Sequence, residues 1–171
     1  LRDAMLATSG RLDRQPAGAS VVTKLGNVNV GRAQRQLSKM PRDTSQRSVY
    51  LPILRNALPE MMRLFDVAEP SLIVGRRNET TVPTQALYLM NSPFVIGQAF
   101  NMAKRVMDTT EGRPDGIRLA YELAFARAAT DDEVSRAHEF LNSVAEEKDR
   151  PGQWTVLCQA LLASAEFRYI D

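Results

Sequence analysis

The chain has 171 residues, 44% of them apolar and 25% charged, and a formal net charge of +2, the composition of a soluble globular protein. It holds no run of eighteen apolar residues, which excludes a membrane-spanning helix, and its one cysteine, Cys158, excludes an internal disulfide. Cys158 and the single histidine, His138, cannot form a metal site without carboxylates, so no metal is expected.

The small net charge hides an asymmetry: residues 1–47 carry nine Lys or Arg against three Asp or Glu, and residues 48–171 carry thirteen against seventeen. A basic N-terminal part packing on an acidic remainder accounts for this. A nucleic-acid surface is the weaker account, because no aromatic residue interleaves the cations to stack bases.

In chain order, Leu1 is not an initiator Met and residues 1–9 already read as the end of a helix, stopped by Gly10 at C′. The chain therefore reads as a piece of a longer protein, and the missing signal peptide says nothing about the parent. Residues 14–47 hold no helical period and include Pro16, Gly18, Gly26, Gly31 and Pro41. They read as a long loop or linker-like segment, or as a hairpin closed by Gly26-Asn27 between 21–23 and 28–30. Ser48 to Leu54 is β-rich but interrupted by Pro52, hence an edge strand or extended segment. Asn56 to Phe65 predicts a short helix, and Val67 to Val82 a loop.

A helix opens at Pro83, whose fixed φ and missing N–H suit a first turn, with Thr80 and Thr81 placed to cap it. Ser92-Pro93 repeats the device and starts a helix reaching about Met107. Ile117, Ala120, Tyr121, Ala124 and Phe125 form a helical stripe. Thr130 with Glu133 is a capping box, opening a helix with Val134, Ala137, Phe140, Leu141 and Val144 on one side. Pro151-Gly152 reads as its break, and Trp154, Leu157, Cys158, Leu161, Leu162 and Ala165 make the next stripe. The fold is expected to be mainly α: one helical domain over 1–171, an irregular bundle with a long N-terminal loop or short hairpin segment.

Among polar residues, Gly75-Arg76-Arg77-Asn78 stands out. Arg76, Arg77, Asn78, Glu79, Thr80 and Gln85 can cradle a carboxylate or sulfate ahead of a helix N-terminus. The competing account makes Arg76 or Arg77 a brace, paired with Glu60, Asp66 or Glu69, that holds the loop down. His138 sits beside an apolar stripe without a nucleophile partner, and Cys158 lies inside one, so both read as structural. No catalytic residue is assigned: Asp66, Glu69 and Glu79 have no spacing that sets them across one bond, and no phosphate loop, zinc helix or nucleophile elbow occurs.

Several of these pieces resemble a known family. They are Arg2-Asp3-Ala4 with Ser9 to Asp13, Arg47 to Tyr50, Phe65-Asp66 with Pro70, Leu123 to Arg127 with Thr130, and Leu162 to Phe167. Most specific is the run from Gly75 to Val95, Gly-Arg-Arg-Asn-x-Thr-Thr-Val-Pro-Thr-Gln-Ala-Leu followed by Leu-Met-Asn-Ser-Pro-Phe-Val. The chain resembles the domain of unknown function near the C-terminus of large planctomycete-type secreted proteins that often carry c-type cytochrome modules. Where that family would show a Gly-Gly-Pro-Ser-like element after Asp13, this chain has Pro16 to Ser20. The resemblance implies an exported, multidomain parent and transfers no catalytic residue. The haem-attachment motif Cys-x-x-Cys-His is absent, so no haem or other cofactor is expected here.

Two functions follow. The first is a non-catalytic helical module docking on other domains of the parent chain. The second is a hydrolase or lyase acting on an anionic carbohydrate, with Arg76 and Arg77 reading the negative charge.

Overall fold

The computed structural model describes residues 1–16, 31, 35, 44–51, 59–67, 75, 80–143 and 150–169. Among these are eight α-helices and no strand, which is the mainly α architecture predicted. The chain gathers into two units, Leu12–Gln85 and a second made of Leu1–Arg11 with Ala86–Asp171.

In the larger unit, α1 (Arg2–Thr8) ends as its sequence dictates. Gly10 takes φ +73, the Gly10 N–H donates to Ala7 O (3.1 Å) and the Arg11 N–H to Leu6 O (2.8 Å). This is the paired bonding of a glycine-ended helix. Arg105 adds a cation to the same end, its Nη1 donating to Thr8 O at 2.9 Å, where the helix dipole favours positive charge. Helix α3 (Pro83–Asn91) brings the chain from the smaller unit into the larger. Next comes α4 (Pro93–Thr109), with Ser92 at N-cap and Pro93 in the first turn. The Ser92 hydroxyl makes no capping bond, so proline geometry rather than that hydroxyl sets the start.

Helix α5 (Arg113–Phe125) ends at Ala126, which adopts a left-handed φ of 54. Helix α6 (Asp131–Asn142) opens on the capping box: the Glu133 N–H donates to Thr130 Oγ1 (3.3 Å) and the Thr130 N–H to Glu133 Oε2 (2.8 Å). Helix α7 (Arg150–Ala163) differs from its reading, because Pro151-Gly152 lies in its first turn instead of serving only as a break. A first-turn N–H has no intrahelical partner, so proline costs nothing there. Ser164 then interrupts the helix, and α8 (Ala165–Arg168) follows with Ser164 Oγ accepting from the Phe167 N–H (3.2 Å).

The core is the pairing of α4 with α7. Val95, Ala99, Met102, Ala103 and Val106 face inward on the first, and Trp154, Leu157, Cys158, Leu161 and Leu162 on the second. Trp154 is 3% exposed. A Cβ at Gly116 of α5 would stand 2.8 Å from the Trp154 ring, so the absent side chain is what lets helix and indole meet. Phe140 and Ala165, assigned to stripes from sequence, are exposed, and Val144 lies outside the described residues.

In the smaller unit, α2 (Glu60–Leu64) is shorter than the Asn56–Phe65 helix predicted: Pro59 stands at its N-cap, and residues 56–58 lie outside the described ones. Ser48–Tyr50 is a 3-10 turn and not extended, because the Tyr50 N–H closes on Arg47 O (3.0 Å) and that of Leu51 on Ser48 O (3.1 Å). Local bonds win over β propensity there. Asp13 and Gln46 form an isolated parallel bridge. The hairpin over 21–30 and most of the 14–47 segment lie outside the described residues.

Candidate functional site

Of the six sequence-selected residues, Arg76, Arg77, Asn78 and Glu79 lie outside the described part, and Thr80 and Gln85 lie inside it. Those two meet in a polar knot between α2 and α3. Helix α2 ends with Asp66 at φ 55 and the Val67 N–H donating to Met62 O (3.1 Å), a turn that normally takes glycine and that aspartate tolerates. The Asp66 carboxylate then receives the Thr80 backbone N–H (2.7 Å) and the Thr80 hydroxyl (2.9 Å). Gln85, 1% exposed, sends its amide N–H groups to Leu64 O (2.8 Å) and Thr80 O (3.0 Å). These bonds tie Thr80 and Gln85 to the C-terminal end of α2. Thr80, expected to cap α3, donates to Asp66, one of the acids weighed as a brace partner for arginine.

Among the described residues, the most completely bonded polar cluster sits elsewhere, around Arg127, and the spacing of the sequence does not reveal it. The left-handed Ala126 turns the chain out of α5 and leaves Arg127 between α5 and α6. Its Nε and Nη2 donate to the two oxygens of Glu166 (2.6 and 2.9 Å). Nη2 and Nη1 donate to the two oxygens of Glu133 (2.8 and 2.9 Å), and Nη1 reaches Ala128 O at 3.0 Å. All five N–H donors of a guanidinium are used. The group also lies 5.4 Å from the Phe125 ring centroid and 5.9 Å from that of Tyr121. Arg127, with the Thr130 N–H second, draws the Glu133 carboxyl down to about 2, and Arg127 lowers Glu166 as well. The two carboxylates raise Arg127 in return. A guanidinium so engaged has no donor left for a ligand. Arg127 makes a brace of the kind weighed for Arg76 and Arg77, which themselves lie outside the described residues.

His138 is half-buried on α6, with Asn142 Nδ2 at 3.0 Å from its Nδ1 and Asn142 Oδ1 bonded in turn to Arg113. Burial pushes the Cys158 thiol up to about 12, which removes the thiolate and leaves a small core side chain, as expected. Near the start of α5 a cavity of about 220 Å³ is lined by Met107, Thr110, Glu111, Gly112, Arg113 and Trp154. Among the described residues no group of three His, Cys, Asp or Glu is placed to hold a metal, and no helix is long and apolar enough to cross a membrane.

One further feature faces outward. On α3, Leu87 and Met90, one turn apart, are 57% and 63% exposed. On α4, Ile96 and Phe100, also one turn apart, are 40% and 52% exposed. Leu89 and Gln85 on α3 are buried.

Fold and polar clusters together describe an all-α domain in which the most fully bonded charges among the described residues tie its own turns. The chain belongs to the family described as PSD1, protein of unknown function (DUF1553), which matches residues 1–141. Nothing among the curated proteins or the solved structures matches the chain. The family match bears out the reading as a domain of unknown function and indicates no activity. Arg127 and Glu133 fall inside it and Glu166 beyond it.

Proposed function

We propose that the chain is a docking module, binding other domains of an exported, multidomain parent chain through the outer faces of α3 and α4. The observation that carries this is the apolar pairing of Leu87 with Met90 and of Ile96 with Phe100, turned to solvent at one-turn spacing. Large apolar side chains that cost solubility and fill no core mark a surface that another surface covers. The export of the parent rests on the family resemblance.

The test uses two substitutions, Leu87→Lys and Phe100→Lys, placed in the isolated chain and in its parent. In the isolated chain both are surface changes and shift stability by less than about 0.5 kcal/mol. In the parent, backbone amides of 87–100 exchange more slowly than in the isolated chain, and the lysine pair abolishes that protection. Equal exchange in the two settings would remove the reading. A melting shift with sulfated oligosaccharide that disappears in Arg76→Ala and Arg77→Ala would replace it with the anionic-carbohydrate function.

A further inference from the structure

We infer that α8 is a strap that opens as a unit of its own, and that Arg127 is the clasp holding it shut. One helical turn has no stability by itself, since nucleation is unfavourable and only tertiary contacts repay it. Helix α8 is one such turn, cut off from α7 by Ser164 in extended conformation (φ −66, ψ 158) and followed by extended Tyr169. It packs on α5 and α7 and buries one side chain, Phe167. The bonds that fix it include the Ser164 cap and the two-pronged grip of Arg127 on Glu166.

The clasp works through charge. Glu133 and Glu166 take adjacent edges of one guanidinium and share its Nη2, so removing it does more than delete four hydrogen bonds. It leaves two neighbouring carboxylates without the cation that joins them, and the strap is repelled from the α5–α6 corner. Surface ion pairs are ordinarily weak, but paired two-pronged geometry in a network is the exception. The other groups in the field of the cluster are Tyr121 on α5 and Arg136 on α6. Opening uncovers the apolar slot that Phe167 fills between α5 and α7, while the α4–α7 core keeps its own contacts.

Amide hydrogen exchange resolved by residue tests this. In Arg127→Gln the amides of Phe167, Arg168 and Tyr169 are expected to exchange about tenfold faster or more, with those of 99–106 and 157–162 unchanged. Adding Glu133→Gln to Arg127→Gln removes the repulsion and recovers part of the protection, which loss of an ordinary contact would not. Should Arg127→Gln fold poorly, Glu166→Gln keeps the Arg127–Glu133 pair and gives the same local effect with a smaller amplitude. Acid provides a second readout. Glu166 and Glu133 are both lowered, so the clasp is complete above the ordinary carboxylate value of 4.5 and is lost as pH falls towards about 2. Exchange at 167–169 therefore outruns that of the core on acidification. Exchange at 167–169 that rises only in step with 99–106 and 157–162, in the variants or in acid, overturns the strap.

Discussion

The Asp66–Thr80–Gln85 knot and the Arg127 cluster both tie a turn between two helices, but they use different materials. In the first, a wholly buried neutral amide feeds two backbone carbonyls and a carboxylate collects a backbone N–H and a hydroxyl. In the second, a guanidinium and two carboxylates pair at the surface. Burial explains the choice. A neutral amide can be taken out of water if its bonds are made, whereas an ion there loses several kcal/mol of hydration that pairing only sometimes returns. Charge is placed where water still reaches it, and a glutamine is used where water does not. The two ties should accordingly answer differently to mutation, salt and acid.

The yardstick for both is the core. Trp154→Ala is expected to cost about 3–5 kcal/mol, the range for deleting a buried aromatic ring. The native protein should show the blue-shifted emission of an indole shielded from water, since Trp154 is 3% exposed. Emission like that of free tryptophan would overturn the burial of Trp154 between α5 and α7.

Gln85→Leu comes next. It keeps the volume and strands the carbonyls of Leu64 and Thr80, so a loss of about 1–3 kcal/mol is expected. Raising salt should leave that loss unchanged, because no ionic group is removed. An unaltered denaturant midpoint would show that water can replace the amide and that the knot is not buried in solution.

These ties were unequally legible in the sequence. The Thr130/Glu133 box and the Trp154 stripe follow local rules over three to eight residues, and both are present. Pro93 was read as a helix start and Gly10 as a stop for the same reason. The Arg127–Glu166 pair spans 39 residues, so no periodicity contains it, although both residues were quoted in the family resemblance. Asp66 as a left-handed helix end was missed because glycine, not aspartate, is the usual signal there. Gly116 carries no pattern of its own, and only the approach of Trp154 shows why a side chain is missing. Gln85 was grouped with ligand-facing residues since polarity alone suggests exposure, and its 1% exposure comes entirely from tertiary packing.

Thr130→Ala touches the edge of the ionic cluster and should cost about 1 kcal/mol, the worth of an N-cap hydroxyl. Thr130 Oγ1 accepts from the Glu133 N–H, while the Thr130 N–H still donates to Glu133 Oε2 in the mutant. Half of the box therefore survives, along with the Arg127 contact. Unchanged denaturant midpoints would mean that the backbone half suffices.

The smallest effect sharpens the comparison most. Glu133→Gln removes one carboxylate from Arg127 and keeps a side chain able to reach the Thr130 N–H. The cluster stays solvated, so the expected loss at neutral pH is no more than about 1 kcal/mol. Its dependence on conditions matters more than its size. The folded carboxyl lies at about 2 against an ordinary 4.5, so Glu133 stabilises the fold fully above 4.5 and progressively less below it. Wild type and Glu133→Gln should therefore differ at pH 7 and converge as pH falls towards 2, when the wild-type carboxyl takes up its proton. The same difference should narrow in 1 M salt, where screening acts over roughly 3 Å. Gln85→Leu, measured alongside, should show no salt dependence. Denaturant midpoints for the three proteins at two pH values and two salt concentrations decide it. If the Glu133→Gln difference persists at low pH and high salt, that carboxylate acts through its shape and cap, and the two knots are more alike than their chemistry suggests.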